Sequence, residues 1–320
     1  MLFATEEQLF DKLVDARHPF RTLSRVINFS TLVNPLRELY SDLGTTGIDV
    51  EKGFKTLLIQ FWEDYSDREM EKAIRENIAI RWFCGFSLSE NTPDYSYLSK
   101  LRKRIGSEKL SELFNKINEE LNKRGLFGNV FIFIDASTIV SKTALWEERD
   151  KAIKDGEETL NNAVVDKYAV DKDARWGAKS KTNIWFGYKR HSAVDMRYGL
   201  IRDTIVTPAN VPDFKALNDI CPERSMIFMD KLFDCRTADE ILTAHGCHAA
   251  TIRKNNNKQK NRDLDRWRSS VRMPFEGIFS KLAKRARYRS KAKVAFQNLF
   301  QSICHNLKKA VAIASLMPAT

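Results

Sequence analysis

Residues 129–138 read NVFIFIDAST, and the character of the chain changes there. Before this stretch apolar residues recur at helical spacing. Within it β-branched and aromatic residues follow one another for the length of a fully buried strand, and the run closes on a carboxylate, Asp135. A buried strand has no use for a negative charge of its own. Asp135 is therefore either a cap for the loop that follows or a group with chemistry to perform.

Working back from this strand, the pattern is helical throughout. Leu9 and Leu13, then Leu23, Val26 and Ile27, then Leu32, Leu36 and Leu39 mark successive helical faces, broken at His18-Pro19. A loop is expected at Leu43–Val50. Helices are expected over Gly53–Tyr65 and from Asp67 to about Ala79, the second opened by a Ser66/Glu69 capping box. Pro93 reads as a first-turn proline of a helix carrying YLSKLRKRI, and Ser107–Asn122 as one more helix, closed by Lys123, Arg124 and Gly125. Residues 1–125 are thus expected to form an all-helical domain. Its densest positive charge, Lys100, Arg102, Lys103 and Arg104, is either a phosphate-contacting face or a solvated one.

Forward from the strand, residues 126–320 read as one mixed domain. Trp146–Lys181 is charged and irregular, and is expected to be a surface insertion of helix and loop. The stretches NIWFGYKRHSAVD and GLIRDTIVTPAN form a hairpin, RSMIFMD is a short buried strand ending at Asp230, and CHAATI is a last strand. A second capping box, Thr237/Glu240, is expected to open a helix that runs to about Ala244. The fold class that results is α+β, or mixed α/β: a helical N-terminal domain, then a five-stranded mixed sheet flanked by helices. Working residues in such sheets gather where strands end. Asp135 and Asp230 stand at such ends. A third carboxylate, Glu276, lies in MPFEGIFSKLAKRARYRS, Met273–Ser290, at the head of an apolar stripe that becomes a basic run. Three carboxylates offering oxygen alone suit Mg²⁺ or Mn²⁺. Two such ions about 3.5–4 Å apart serve in-line phosphoryl transfer.

Composition points the same way. The 320 residues carry a formal net charge of +11, and Thr251–Lys293 holds fifteen lysines and arginines against Asp263, Asp265 and Glu276. A polyanion is the partner such a charge favours. Five scattered cysteines without a C-x-x-C pair exclude a disulfide framework or zinc ribbon, and fit a reducing cytosol. Neither a leader pattern nor a membrane span is legible, so a cytoplasmic protein is expected. His191, after YKR, is a strand histidine that could face the site as an acid or base. Trp267, among basic neighbours, could stack on an unpaired base.

These blocks, in this order, resemble the DDE transposases of bacterial insertion sequences, in particular the insertion-sequence-five group, over almost the full length. The resemblance rests on residues 53–105 and on IDAS, GYKRHSAVD, VTPANVPDF, MDKLFD, FEGIFSKL and RARYRSKAK. It implies a ribonuclease H-like catalytic domain in which Asp135, Asp230 and Glu276 are catalytic and hold two Mg²⁺ or Mn²⁺ ions. It also implies double-stranded DNA partners, the terminal inverted repeats and the target, a homodimer on DNA, a helical domain over residues 1–125 that binds DNA ends or dimerises, and association with the bacterial nucleoid when bound to DNA. In the family's signature an arginine stands four positions before the glutamate, here Arg272. A tyrosine precedes that arginine by three, where this chain has Ser269, and a lysine follows the glutamate by seven, where it has Ala283 between Lys281 and Lys284. Arg272, Lys281, Lys284, Arg285, Arg287 and Arg289 are the implied phosphate contacts. The expected activity is metal-dependent DNA cleavage and strand transfer. Two alternatives stand beside it: a ribonuclease H-like nuclease that hydrolyses without strand transfer, and a domesticated DNA-binding protein with a silent site.

Overall fold

The computed structural model describes residues 5–40, 47–143 and 145–316. Residues 43–46 of the expected loop lie outside them. The chain forms two compact units, Met1–Arg124 with Ile303–Thr320, and Gly125–Ser302. The last helix is therefore divided between them, whereas the sequence reading kept all of 126–320 in one domain.

The first unit is helical: α1 (Glu6–Leu13), α2 (Pro19–Val26), α3 (Phe29–Leu32), α4 (Asn34–Arg37), α5 (Val50–Trp62), α6 (Asp67–Glu76), α7 (Ile78–Cys84) and α8 (Tyr95–Lys123). Ser66 and Glu69 make the expected capping box at α6. Pro93, however, precedes the helix it was expected to open. Asp94 is the cap, its side chain accepting from the Tyr97 N–H at 2.9 Å. The two helices expected on either side of Gly106 are both present and follow one another across a kink, where Gly106 leaves the helical conformation at φ 65° and ψ 175°; they are numbered together as α8. Phe54, Leu57, Leu58, Phe83, Leu110 and Leu113 form the buried interior. Arg102 is drawn toward it: both oxygens of Asp67 accept from its guanidinium, at 2.7 and 2.6 Å, and Gln60 Oε1 accepts at 3.1 Å. A guanidinium so engaged holds α8 to α6 and is not offered to a phosphate. Lys100, Lys103 and Arg104 remain exposed.

The second unit contains β1 (Phe131–Val140), α9 (Trp146–Lys154), α10 (Val165–Tyr168), β2 (Arg175–Ala178), β3 (Ile184–Asp195), β4 (Leu200–Pro208), α11 (Leu217–Ile220), β5 (Met226–Met229), α12 (Arg236–Ala244), β6 (His248–Thr251), α13 (Arg262–Ser280) and the start of α14 (Lys291–Leu316). The sheet runs β2-β3-β1-β5-β6, with β4 also paired to β3. It has six strands rather than five. β2 was missed because it spans four residues in a lysine- and aspartate-rich stretch, where no alternation can develop. β1 pairs antiparallel with β3 and parallel with β5, and β5 pairs parallel with β6. Among the described residues no helix is long and apolar enough to cross a membrane.

Two faces follow from the pleat. Ile132, Ile134, Ala193, Ile227 and Met229 pack with Leu217, Ile220, Ala238 and Leu242 of α11 and α12. On the other face Phe133 meets Phe279 of α13, with ring centroids 5.8 Å apart, and Ile139 and Tyr188 pack with Val294 of α14. The insertion is less superficial than its composition suggested. Ala152, Leu160, Val165, Tyr168, Ala169 and Ala174 are buried in that second cluster, and buried Asp171 accepts from the Tyr188 hydroxyl at 2.6 Å and from the Ser290 N–H at 3.2 Å. Helix α12 begins at Arg236 with Cys235 as an N-cap that makes no side-chain bond, so Thr237 and Glu240 form no capping box; Glu240 pairs with Arg236 at 2.7 Å instead.

The closest approach within the sheet is at Gly187, paired to Val140. A Cβ there would lie 2.2 Å from the Ile139 carbonyl oxygen and 2.6 Å from the Ser141 nitrogen, both backbone atoms. Gly187→Ala is expected to lower the unfolding free energy by about 2–4 kcal/mol. Urea denaturation of the two proteins measures it, and an unchanged midpoint would contradict this packing.

Candidate active site

β1 does not stop at Asp135 but continues five residues beyond it to Val140. The strand tolerates the charge because the α13 side of the sheet is only partly covered there: residues 135–138 are half-buried while Ile132, Phe133 and Ile134 are fully buried. Phe133 and Asp135 share one face. In the parallel ladder Phe133 is opposite Phe228. Carrying that register two residues on puts Asp135 beside Asp230, on the same face, where β5 gives way to a single turn of 3₁₀ helix over Lys231–Phe233.

The two carboxylates differ from the structural acid nearby. Asp195, fully buried at the end of β3, accepts from the Gly128, Asn129 and Arg197 N–H groups at 3.0, 2.8 and 2.9 Å, and so caps the loop into β1. Asp135 accepts a single backbone bond, from Ala136 N–H at 2.8 Å, and Asp230 one from Leu232 N–H at 2.7 Å. Burial pushes the Asp135 carboxyl up to about 6. The Ala136 N–H opposes that rise, the charge of Asp230 adds to it, and Arg272 and Lys179 counter it more weakly. Two acids in each other's field, each with only one backbone bond, are a donor set that a hard divalent cation fits.

Glu276 comes from α13. A helix beginning at Pro274 would make Glu276 an ordinary first-turn acid. In fact Asn261 caps the helix, accepting from Asp263 and Leu264 N–H at 3.1 Å, and Pro274 lies inside it. Glu276 thus sits one turn from the C-terminal end at Ser280, where the helix dipole disfavours a carboxylate. The stability of the helix does not account for it. Arg272, Glu276 and Phe279 lie on one stripe, at i, i+4 and i+7. Arg272 is buried with its guanidinium 5.2 Å from the Phe133 ring centroid, and it donates to Glu276 Oε1 at 3.1 Å. The stripe therefore lies along β1 two residues from Asp135. The Glu276 side chain is 51% exposed, with its carboxylate turned to Arg272. Among the described residues no three acidic, histidine or cysteine side chains are gathered into a metal-holding group.

The basic run behind Glu276 is pinned in place. Val140 donates to the Lys284 carbonyl and accepts from Ala286 N–H, both at 2.8 Å, so residues 284–286 extend along the end of β1. Lys281, Lys284, Arg285 and Arg289 are exposed, and Arg287 is half-buried. Trp267 is 51% exposed, with its ring centroid 5.9 Å from that of Phe228.

Two residues were missed in the sequence. Lys179, between β2 and β3, acts on the Asp135 charge although the stretch reads as polar surface. Arg190 is fully buried beside α14, donating to Asn298 Oδ1, to Gln301 Oε1 at 2.5 Å and to the Ala283 carbonyl at 3.4 Å. Its glutamine and asparagine partners lie more than a hundred positions away, beyond any local signal. His191 is not at the site. It pairs with Ala136 and so faces the opposite side of the sheet, where its Nε2 bonds Thr207 Oγ1 at 2.8 Å and burial lowers its pKa to about 4.

The raised Asp135 carboxyl has a measurable effect on stability. A carboxyl whose pKa is higher folded than unfolded holds its proton more tightly in the native state. Its contribution is full below about pH 4 and is lost as pH rises through 6. Above that, ionised Asp135 costs the metal-free fold up to about 3 kcal/mol. Asp135→Asn in EDTA is expected to melt higher than the parent at pH 7.5, with the gap closing toward pH 4. Equal melting temperatures at both pH values would contradict it.

Two family models match the chain: a transposase domain (DUF772) over residues 8–104 and a transposase DDE domain over residues 127–307. Among solved structures, the cryo-EM structure of the piggyBac transposase synaptic complex with hairpin DNA aligns at a TM-score of 0.44 and 9% identity, covering 95% of this chain and 77% of that one.

Proposed function

The chain belongs to the transposase DDE domain family, and from that premise we propose that Asp135, Asp230 and Glu276 are the catalytic carboxylates of this DNA transposase. A divalent metal ion and DNA partners belong to that function. The observation that carries the assignment is the pair Asp135 and Asp230, near enough for the charge of one to act on the other while each accepts only one backbone bond. The three carboxylates would hold Mg²⁺ or Mn²⁺, as two ions. When bound, the metal activates the attacking oxygen and stabilises the leaving one in an in-line displacement.

The residues of the chain do the rest. Arg272 holds Glu276 at its present rotamer, and a phosphate competing for the guanidinium would free the carboxylate toward Asp135. Lys281, Lys284, Arg285, Arg287 and Arg289 follow the backbone of the DNA end, on a segment anchored to Val140. Lys179 adds positive charge within reach of Asp135, and Trp267 offers a ring to an unpaired base. Lys100, Lys103 and Arg104 are a second contact surface on the helical unit, without Arg102. Water and a DNA 3′-hydroxyl are interchangeable nucleophiles in one geometry, so cleavage and joining use the same residues. The two ends are held by a homodimer on terminal inverted repeats.

Labelled duplexes carrying the element's terminal repeat, incubated with the protein and Mg²⁺, are expected to be nicked at the end and joined to target DNA. Alanine at Asp135, Asp230 or Glu276 should each reduce cleavage by about 1000-fold or more, the loss of several kcal/mol of transition-state stabilisation. Cleavage by Asp135→Ala at the parental rate would sink the assignment. Cleavage without joining would identify a nuclease.

A further inference from the structure

Asp230 and Glu276 come from segments far apart in sequence, and a polar knot joins them. Four residues after Asp230, Asp234 is buried, its side chain 5% exposed. Its carboxylate accepts from Arg253 Nη1 at 2.8 Å, from the Lys254 N–H at 2.7 Å, and from Asn257 Nδ2 at 3.0 Å to each oxygen. Its carbonyl accepts from Lys254 Nζ at 2.9 Å. All these donors lie in the connection between β6 and α13. At the far end of that connection Asp265, buried in the first turn of α13, accepts from the Arg253 N–H at 3.2 Å and from Arg268 Nη1 at 3.3 Å. Arg268 Nη1 also bonds the Thr251 carbonyl at 2.9 Å, and Lys260 Nζ bonds the Arg253 carbonyl at 3.1 Å.

Arg253 is thus held by its side chain to the loop of Asp230 and by its backbone to the helix of Glu276. Surrounding it is a polar loop, KNNNKQKN over residues 254–261, with no apolar side chain to anchor it. Apolar packing would hold such a connection at least as firmly as ion pairs do. What planar, bidentate-capable groups add is direction. We propose that Arg253, clamped between Asp234 and Asp265, is a positioning residue that sets the separation of Asp230 from Glu276. This rests on the assignment of those two residues as metal ligands.

The test uses the full chain, with Mn²⁺ binding to the DNA-free protein followed by calorimetry, and cleavage of labelled end DNA. Arg253→Ala and Asp234→Asn are each expected to weaken Mn²⁺ binding and lower kcat by about 10–100-fold. KM for DNA should hold, and high Mn²⁺ should restore much of the rate. Arg253→Lys keeps the charge without the fork and should fall between Arg253→Ala and the parent. High Mn²⁺ should not rescue Asp135→Ala. If both relay variants are folded and match the parent in Mn²⁺ binding and kcat while Asp135→Ala is inactive, the positioning role falls and the site stands. If Asp135→Ala also cleaves, the site assignment itself falls. Unfolding of both relay variants would also overturn the proposal, because the knot would then be holding the fold and not the site.

Discussion

β1 is hydrogen-bonded along both edges, antiparallel to β3 and parallel to β5, and this double ladder is the constraint on which the site depends. Side chains alternate across a strand, so a slip of one residue would turn Asp135 into the core beside Ile132 and bring a hydrophobe to the site. Two features prevent the slip. Gly187 lets β3 approach the backbone of β1 more closely than any side chain would allow, and Asp195 fixes the start of β1 through three backbone N–H groups. Two acids that repel each other are held together by a backbone framework that neither of them stabilises.

The framework was legible in the sequence where a local pattern carried it. The apolar runs before Asp135 and Asp230 announced two buried strands, the alternation around DMRYG announced a hairpin, and Ser66 with Glu69 announced a helix start. The parts not legible depend on distant partners. Nothing near Arg102 distinguishes it from Lys103, yet one is committed to Asp67 and the other is exposed. Likewise the isolated apolar residues of the 146–181 insertion have no period, and only the folded cluster shows that they are interior. The start of helix α13 is equally hidden: Pro274 is the kind of residue that marks a helix start, yet Asn261 supplies the cap about three turns earlier.

For the proposed site, the sequence offers three candidate carboxylates but not their surroundings. Asp135 feels the charge of Asp230, while Glu276 is engaged with Arg272 at a helix end that does not favour it. Departures at Ser269 and Ala283 left the phosphate contacts open in the sequence. The structure adds Lys179 from the β2–β3 turn as a positive charge felt by Asp135.

The repulsion built into this pair also bears on how such a chain changes over generations. Replacing Asp135 by a neutral residue removes the cost of burying its charge beside Asp230, so under the role proposed for it a loss of activity would bring no loss of stability. The fold by itself then gives no reason to keep the charge, and variants neutral at this position are expected to stay well folded.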